Sequence, residues 1–402
     1  MINASMGVCA PKGFMAGAIH AGIKDGSAKD DVALILSDTL CSAAAVYTTN
    51  RVKADCLKVT REHLNDGKAR LIVANSGNAN AAAANGYVNA IKEASAAAGA
   101  FHVCEDDVIV ASTGVIGQTL PVEKIEAALP KMVLSKDGSE KAARAIMTTD
   151  TRMKSAVEQI VIDGKTVTLG GIAKGSGMIH PNMGTMLCFI TSDAAITPDM
   201  LDKALKHCVK KTFNRVSVDG DTSTNDMCAV LANGLAENAE IKEENEDFQI
   251  FREALRTIME TLAIAIASDG EGASRLLTVT VDGAENEKQA EVLARSVASS
   301  SLLKAAMFGR DANWGRVICA MGYSGAEFDP EKADIAFASS KGMVSVCQNG
   351  RKVAFDEDKA LEILGEDAVD ILINIHEGNE KATCWGCDLT YEYVRINGEY
   401  RS

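Results

Sequence analysis

No apolar run in this chain approaches the ~20 residues that a bilayer-crossing helix requires, so no spanning segment is expected. The start, MINASMGVCAPKGF, lacks the basic opening and apolar core of a secretory signal. Basic residues are in deficit: 41 Lys and Arg face 55 Asp and Glu, a formal net charge of −14. Phosphate-backbone binding needs clustered Lys and Arg, so nucleic acid is not an expected partner. The eleven cysteines follow no regular spacing, and an odd number without a framework fits reduced thiols in a cytoplasm. No internal repeat or low-complexity linker appears among the 402 residues. Of these, 47% are hydrophobic and 24% charged, the balance of a globular protein with room for two or three domains.

The most informative stretch is GGIAKGSGMIHPNMGTMLCFITSDA, Gly170 to Ala194. Its glycine-rich first half reads as an irregular loop, and Met186 to Ile190 reads as a short buried strand. Thr185 stands at the joint, behind Gly184. A Thr hydroxyl needs a base beside it to act as a nucleophile. Cleavage of the Gly184–Thr185 bond would supply one, because the new α-amine titrates near neutral pH, at roughly 7.7–8.0. An ordinary strand-edge Thr after a glycine turn fits the same residues.

Several other segments end in turns that could serve chemistry. Ala33–Ser37 and Ala43–Thr48 read as strands separated by Asp38–Thr39. RLIVA (Arg70–Ala74) is a strand ending in NSGNAN (Asn75–Asn80), and an Ala-rich helix follows to about Ala98. Asp107–Ala111 is a strand stopping at Ser112-Thr113-Gly114, and a strand–glycine–helix joint exposes N–H groups to an anion. Pro121–Leu134 and Ser139–Met147 have helical spacing, and the second enters Thr148-Thr149-Asp150. A hairpin turns at Asp163-Gly164. Helices are expected at about Phe248–Ala267 and Asn286–Ala306, with Glu271 in a glycine-flanked turn between them. A final strand is expected over Cys384–Ile396.

Four rival signals are weaker. The loop Asp219–Asp226 alternates oxygen ligands but lacks the bidentate Glu of a calcium loop. Cys384 and Cys387 have redox spacing, yet on a strand they point to opposite faces, and no second pair completes a zinc site. His180 could be a base for Thr185, but loop structure explains it as well. In GGIAKGSG the Lys precedes the glycine that it should follow in a phosphate loop.

KGSGMIHPNMGTMLCFITSDA resembles the signature of the ornithine acetyltransferase (glutamate N-acetyltransferase) family of arginine biosynthesis. TTNRVKA from Thr48, NSGNAN, STG, FNRVSVDGDTSTNDM, DGEGAS and WGCDLTYEYVRING match the same family, so the resemblance covers nearly the whole chain. It implies an α/β fold with sheets packed between helices, and self-cleavage into chains 1–184 and 185–402. Two copies of each chain would associate as a heterotetramer. The family residue before the Thr is usually Ala; Gly184 here is expected to alter cleavage rate more than its site. Residues 1–280 would form a catalytic domain, and 281–402 a second domain whose tail returns to the site.

The resemblance further implies acetyl transfer from N2-acetyl-L-ornithine to L-glutamate through acetyl-Thr185, with the Thr185 amine as base. Thr113 and Gly114 would hold the oxyanion. Thr148 (favoured over Thr149), Lys174, Glu271, Asn397 and Ser402 would contact substrate. No metal or resident cofactor is implied; acetyl-CoA is a candidate second acetyl donor. The alternatives are an N-terminal-nucleophile aminopeptidase or amidohydrolase, and a non-catalytic anion-binding protein.

Overall fold

Apolar segments without polar alternation must be covered on both faces. Two such segments, Leu187–Ser192 and Met227–Ala232, lie side by side in an eight-stranded sheet, and every residue of both is buried. Along the first of them Leu187 and Phe189 enter one core, while Cys188 and Ile190 enter another. The protein is seen here in a computed structural model that describes residues 3–24, 26–180 and 186–399. Gly184, Thr185 and Ser402, three of the expected site residues, lie outside the described residues.

The strands of this sheet are β1 (Phe14–Ile19), β2 (Val32–Tyr47), β3 (Lys68–Asn78), β4 (Val108–Val115), β5 (Lys154–Ile162), β6 (Lys165–Lys174), β7 (Leu187–Ser192) and β9 (Met227–Ala232). Their spatial order is β4-β3-β2-β9-β7-β6-β5, with β1 paired to β2. Neighbours are antiparallel except β3/β4 and β7/β9. Helices α1 (Asp55–His63), α2 (Gly86–Phe101), α3 (Val122–Ala128) and α4 (Ser139–Ala145) fill one core. Helices α5 (Pro198–Lys211) and α6 (Glu246–Ser268) fill the other.

A second, seven-stranded sheet combines the short β8 (Val216–Ser217) with β10 (Leu276–Ala284), β11 (Asp334–Ser339), β12 (Gly342–Gln348), β13 (Arg351–Lys352), β14 (Ala368–Asn374) and β15 (Glu380–Cys387). Its order is β13-β12-β11-β14-β10-β15-β8. In β14 buried and exposed residues alternate, so one face of this sheet is packed and the other open. The packed face meets α7 (Glu287–Ser299), α8 (Ser301–Phe308), α9 (Trp314–Gly322) and α10 (Glu357–Ile363). Cys384 belongs to this third core, whereas Trp385 and Cys387 belong to the core of α5 and α6. The two cysteines therefore sit in different cores, as strand alternation requires, and both are free thiols. The whole is α/β, with mixed sheets packed against helices.

Four local expectations are corrected. The stretch from Gly170 is not a loop at its start, because β6 runs through to Lys174. Its glycine answers a close approach: a Cβ on Gly170 would stand 1.9 Å from the Gly7 carbonyl oxygen. The two expected strands at 33–48 are one strand, β2, with a register irregularity between Leu36 and Cys41. The helix expected over Asn286–Ala306 breaks at Ser300, whose side chain accepts the Leu303 N–H and starts α8 as an N-cap. The expected final strand ends at Cys387, and Tyr391–Glu399 form a helix, α11. Asp388, buried, ends the strand by accepting the N–H groups of Ser274 and Arg275 at 2.8 and 3.0 Å.

Replacing Gly170 with Ala tests the packing reading. The variant should lose about 1–3 kcal/mol, read as a lowered unfolding midpoint, because backbone must move to admit one methyl. An unchanged midpoint would return Gly170 to the role of a flexible joint.

Candidate functional site

The end of β4, the end of β6, the entry to β7, the loop before β9, the turn after α6 and the helix α11 converge on one cleft. Thr113, Gly114, Thr148, Thr149, Lys174, Glu271 and Asn397 all line it, together with Met186, the residue after Thr185. Six expected site residues among the described ones thus come together from five separate stretches of chain. Both Thr148 and Thr149 face the cleft, but only Thr148 accepts a hydrogen bond from Lys174, at 2.8 Å. Thr113 Oγ1 is 3.4 Å from the same ammonium. Gly114 is a glycine of necessity: its φ is +136°, and a Cβ there would meet the Gly77 backbone at 2.3 Å.

Glu271 stands in a turn, as its flanking glycines suggested. Its N–H donates to the Ser176 carbonyl at 3.1 Å, which ties the turn to the segment after β6. Asn397 Nδ2 donates to Glu271 Oε2 at 2.8 Å and to the Tyr393 carbonyl at 3.0 Å. The second contact is one helical turn back, so α11 itself aims the Asn397 amide at Glu271.

Lys174 is nearly buried, and three further charged side chains lie beneath it. Lys174 Nζ is 3.9 Å from Asp150, Asp150 is 2.7 Å from Lys154, and Lys154 is 2.6 Å from Asp269. Asp150 also accepts the N–H groups of Gly175 and Thr148, at 2.7 and 3.1 Å. Burial alone would raise the Asp150 carboxyl, but Lys174, Lys154 and the Gly175 N–H outweigh it and hold it at about 2. Burial pushes the Lys174 ammonium down, opposed above all by Asp150. A cation, two carboxyl groups, several hydroxyls and a glycine backbone thus share one small cleft, able to meet both charges of a zwitterionic ligand.

Asp150, Lys154, Asp269 and the cleft residue Asp226 were not expected as site residues. Asp150 carried a usable signal, since it directly follows the Thr pair. His180 does not line this cleft. Its Nδ1 is 3.0 Å from Ser217 Oγ, its Nε2 is 3.1 Å from an Arg295 nitrogen, and its carbonyl accepts the Thr222 hydroxyl. Burial, then Arg295, lowers the ring to about 4. The neutral ring therefore accepts from Arg295 and donates to Ser217, which fixes the loop. Asp219, in the acidic stretch, accepts the N–H groups of Met178, Ile179 and Asp221 and serves the same loop.

The fold and cleft define an α/β protein with mixed sheets and one small, charge-lined cleft where both sheets' parts of the chain meet. The ArgJ family matches residues 15–402, and the chain belongs to that family. It is 49% identical to the arginine biosynthesis bifunctional protein ArgJ of Caldanaerobacter subterraneus, over 98% of each chain. It is 48% identical to ArgJ 1 of Clostridium acetobutylicum, over 97% of this chain and 96% of that one. A crystal structure of the arginine biosynthesis bifunctional protein from Bacillus halodurans is 46% identical, with a TM-score of 0.50, covering 53% of this chain and 98% of its own.

The ion ladder sets a pH dependence. Asp150 is depressed, so its contribution to stability is complete above the ordinary value of 3.8 and is lost as pH falls toward about 2. Asp150→Asn should cost about 2 kcal/mol or more at pH 7, and the gap to wild type should close in that acid window. Denaturant unfolding at pH 7, 4 and 2.5 measures it; a gap independent of pH would mean Asp150 is not charged in the fold.

Proposed function

We propose that this protein transfers the acetyl group of N2-acetyl-L-ornithine to L-glutamate, giving L-ornithine and N-acetyl-L-glutamate for arginine synthesis. It is a glutamate N-acetyltransferase, an acyltransferase. The observation that carries the reading is the convergence of Thr113, Gly114, Thr148, Lys174, Glu271 and Asn397 on the cleft that Met186 also lines. The two relatives at 48–49% identity bear the name of arginine biosynthesis bifunctional proteins, and that activity is carried over to this chain.

Thr185, one peptide bond before Met186, is the proposed nucleophile. After cleavage before it, its free amine takes the hydroxyl proton as the oxygen attacks the acetyl carbonyl. The negative oxygen that forms rests on Thr113 and Gly114, donors that need not move when charge appears. The C–N bond then breaks, the departing nitrogen takes the proton held by the Thr185 amine, and acetyl-Thr185 remains. L-Glutamate reverses the sequence. Lys174 pairs with the substrate carboxylate, a charge-assisted contact. Glu271, aimed by Asn397, meets the ornithine ammonium, and Thr148 and Ser402 add hydroxyl contacts.

The sheet explains how a broken chain stays whole. A break between 184 and 185 leaves β1–β6 on one product and β7 and β9 on the other. Yet β7 pairs with β6, and β9 pairs with β2, so the two products interleave in one sheet. The Bacillus halodurans chain, nearly all of it matched within 53% of this one, has about the length of residues 185–402. A heterotetramer of two copies of each product is the proposed assembly. Acetyl-CoA is proposed as a second acetyl donor because the named relatives are called bifunctional. Among the described residues no helix is long and apolar enough to cross a membrane, and all eleven cysteines are free thiols. A cytoplasmic enzyme is the reading that these features support.

Denaturing mass spectrometry tests the scheme. The purified protein should appear as two chains, the second beginning Thr-Met-Leu-Cys, and Thr185→Ala should stay uncut and inactive. Acetylornithine without glutamate should add one acetyl group to the 185–402 chain. Acetate release independent of glutamate would instead mark a hydrolase.

A further inference from the structure

One carboxyl group in the cleft has no part in that scheme. Asp226, immediately before β9, is only 3% exposed and lines the cleft with Lys174 and Glu271, the other charged groups there among the described residues. Among the described residues neither of its carboxylate oxygens makes a well-formed hydrogen bond, although the Met186 N–H and the Thr48 and Ser223 hydroxyls act on the carboxyl. On its other side it shares a small void with Val46, Val209 and Phe213. Its backbone is held firmly: the Asp226 carbonyl accepts the Thr48 N–H at 3.0 Å. The preceding Asn225 donates to the Ala79 and Ser112 carbonyls at 2.6 and 2.8 Å. Buried carboxyl groups whose hydrogen bonds are poorly formed are costly and rare, and a fold that holds one rigidly in a reaction cleft has a use for it. Burial raises this carboxyl well above the ordinary range, against the pull of the Met186 N–H, the Thr48 and Ser223 hydroxyls and Lys174.

The acyl-transfer scheme leaves one proton unassigned in each half. Ornithine departs as a neutral amine and becomes an ammonium only by gaining a further proton. Glutamate arrives as an ammonium and can attack only after losing one. The Thr185 amine is already committed to the hydroxyl proton in both halves. We propose that Asp226 carries this second proton, as a carboxylic acid that protonates the departing ornithine amine and a carboxylate that then deprotonates the incoming glutamate ammonium. The inference rests on the acetyl-Thr185 reading. The proton account balances over a full turnover: Asp226 gives one proton in the first half and recovers one in the second, with no exchange with water. A buried carboxyl whose oxygens the described residues do not lock into well-formed hydrogen bonds suits this duty, because a strong standing bond or ion pair would fix it in one protonation state.

The experiment compares two acceptors on the acetylated enzyme. Glutamate must be deprotonated before it attacks, whereas hydroxylamine is already neutral at neutral pH. In Asp226→Asn, transfer to glutamate should fall about a hundredfold relative to transfer to hydroxylamine. The deficit should shrink as pH rises and free glutamate amine accumulates. Equal losses with both acceptors, or a deficit unchanged by pH, would overturn the proposal and leave Asp226 a structural residue. Self-cleavage of the variant into two chains serves as its folding control; if Asp226→Asn fails to cleave, Asp226→Ser is put through the same comparison. If the wild-type enzyme yields no acetyl-hydroxamate in the absence of glutamate, the acetyl-enzyme reading itself fails and this proposal falls with it.

Discussion

Lys174 is a cation placed where an isolated cation would not stay. Stripping an ammonium of water is costly, and the cost is met only where opposite charges and hydrogen bonds surround it. The protein meets it with an alternating series, Lys174, Asp150, Lys154 and Asp269, three of whose members are almost wholly inaccessible. Each member belongs to a different stretch of chain: the end of β6, the turn after α4, the start of β5 and the turn after α6. Removing one would leave its neighbours unpaired in a dry interior. The series therefore joins three edges of the cleft, and the positions of Thr148, Thr151 and Gly175 follow from hydrogen bonds to its two carboxylates.

The same economy appears in the second sheet. Its strand β15 delivers Asp388 to the turn after α6, and the short connection beyond it launches α11 over Glu271. Thr390 secures that launch by donating to the Gly272 carbonyl and accepting the Glu392 N–H. The cleft thus takes its hydroxyls and its cation from the first sheet's half of the chain and its amide from the last helix. A reaction site made this way is complete only when both sheets are in place.

Much of this was legible in the sequence, for reasons that can be named. β7 was readable because a continuous apolar run has one stable use, the middle of a covered sheet, and the same signal in β9 was there to be read. Thr113, Gly114, Lys174, Glu271 and Asn397 were singled out through motif resemblance, and the fold brings them to one cleft. The glycines at 170 and 171 misled, because close packing against other chain and conformational freedom select the same residue. α11 misled because Tyr391, Tyr393, Val394 and Ile396 favour strands. Its helical signal lay in its charges instead, Glu392, Arg395 and Glu399, spaced to pair at three and four residues. Asp226 was hidden because its neighbours made it look like one more ligand of an acidic loop, and burial is not written in any spacing.

The central claim is that the donor is cleaved and the acetyl group is held before any acceptor is present. Isotope exchange tests it most directly. Labelled L-ornithine incubated with unlabelled N2-acetyl-L-ornithine and enzyme, with no glutamate, should yield labelled acetylornithine, because an acetyl-enzyme can return its group to any ornithine that enters. Exchange that requires glutamate, or does not occur while full turnover proceeds, would contradict the account and place both substrates in the cleft at once.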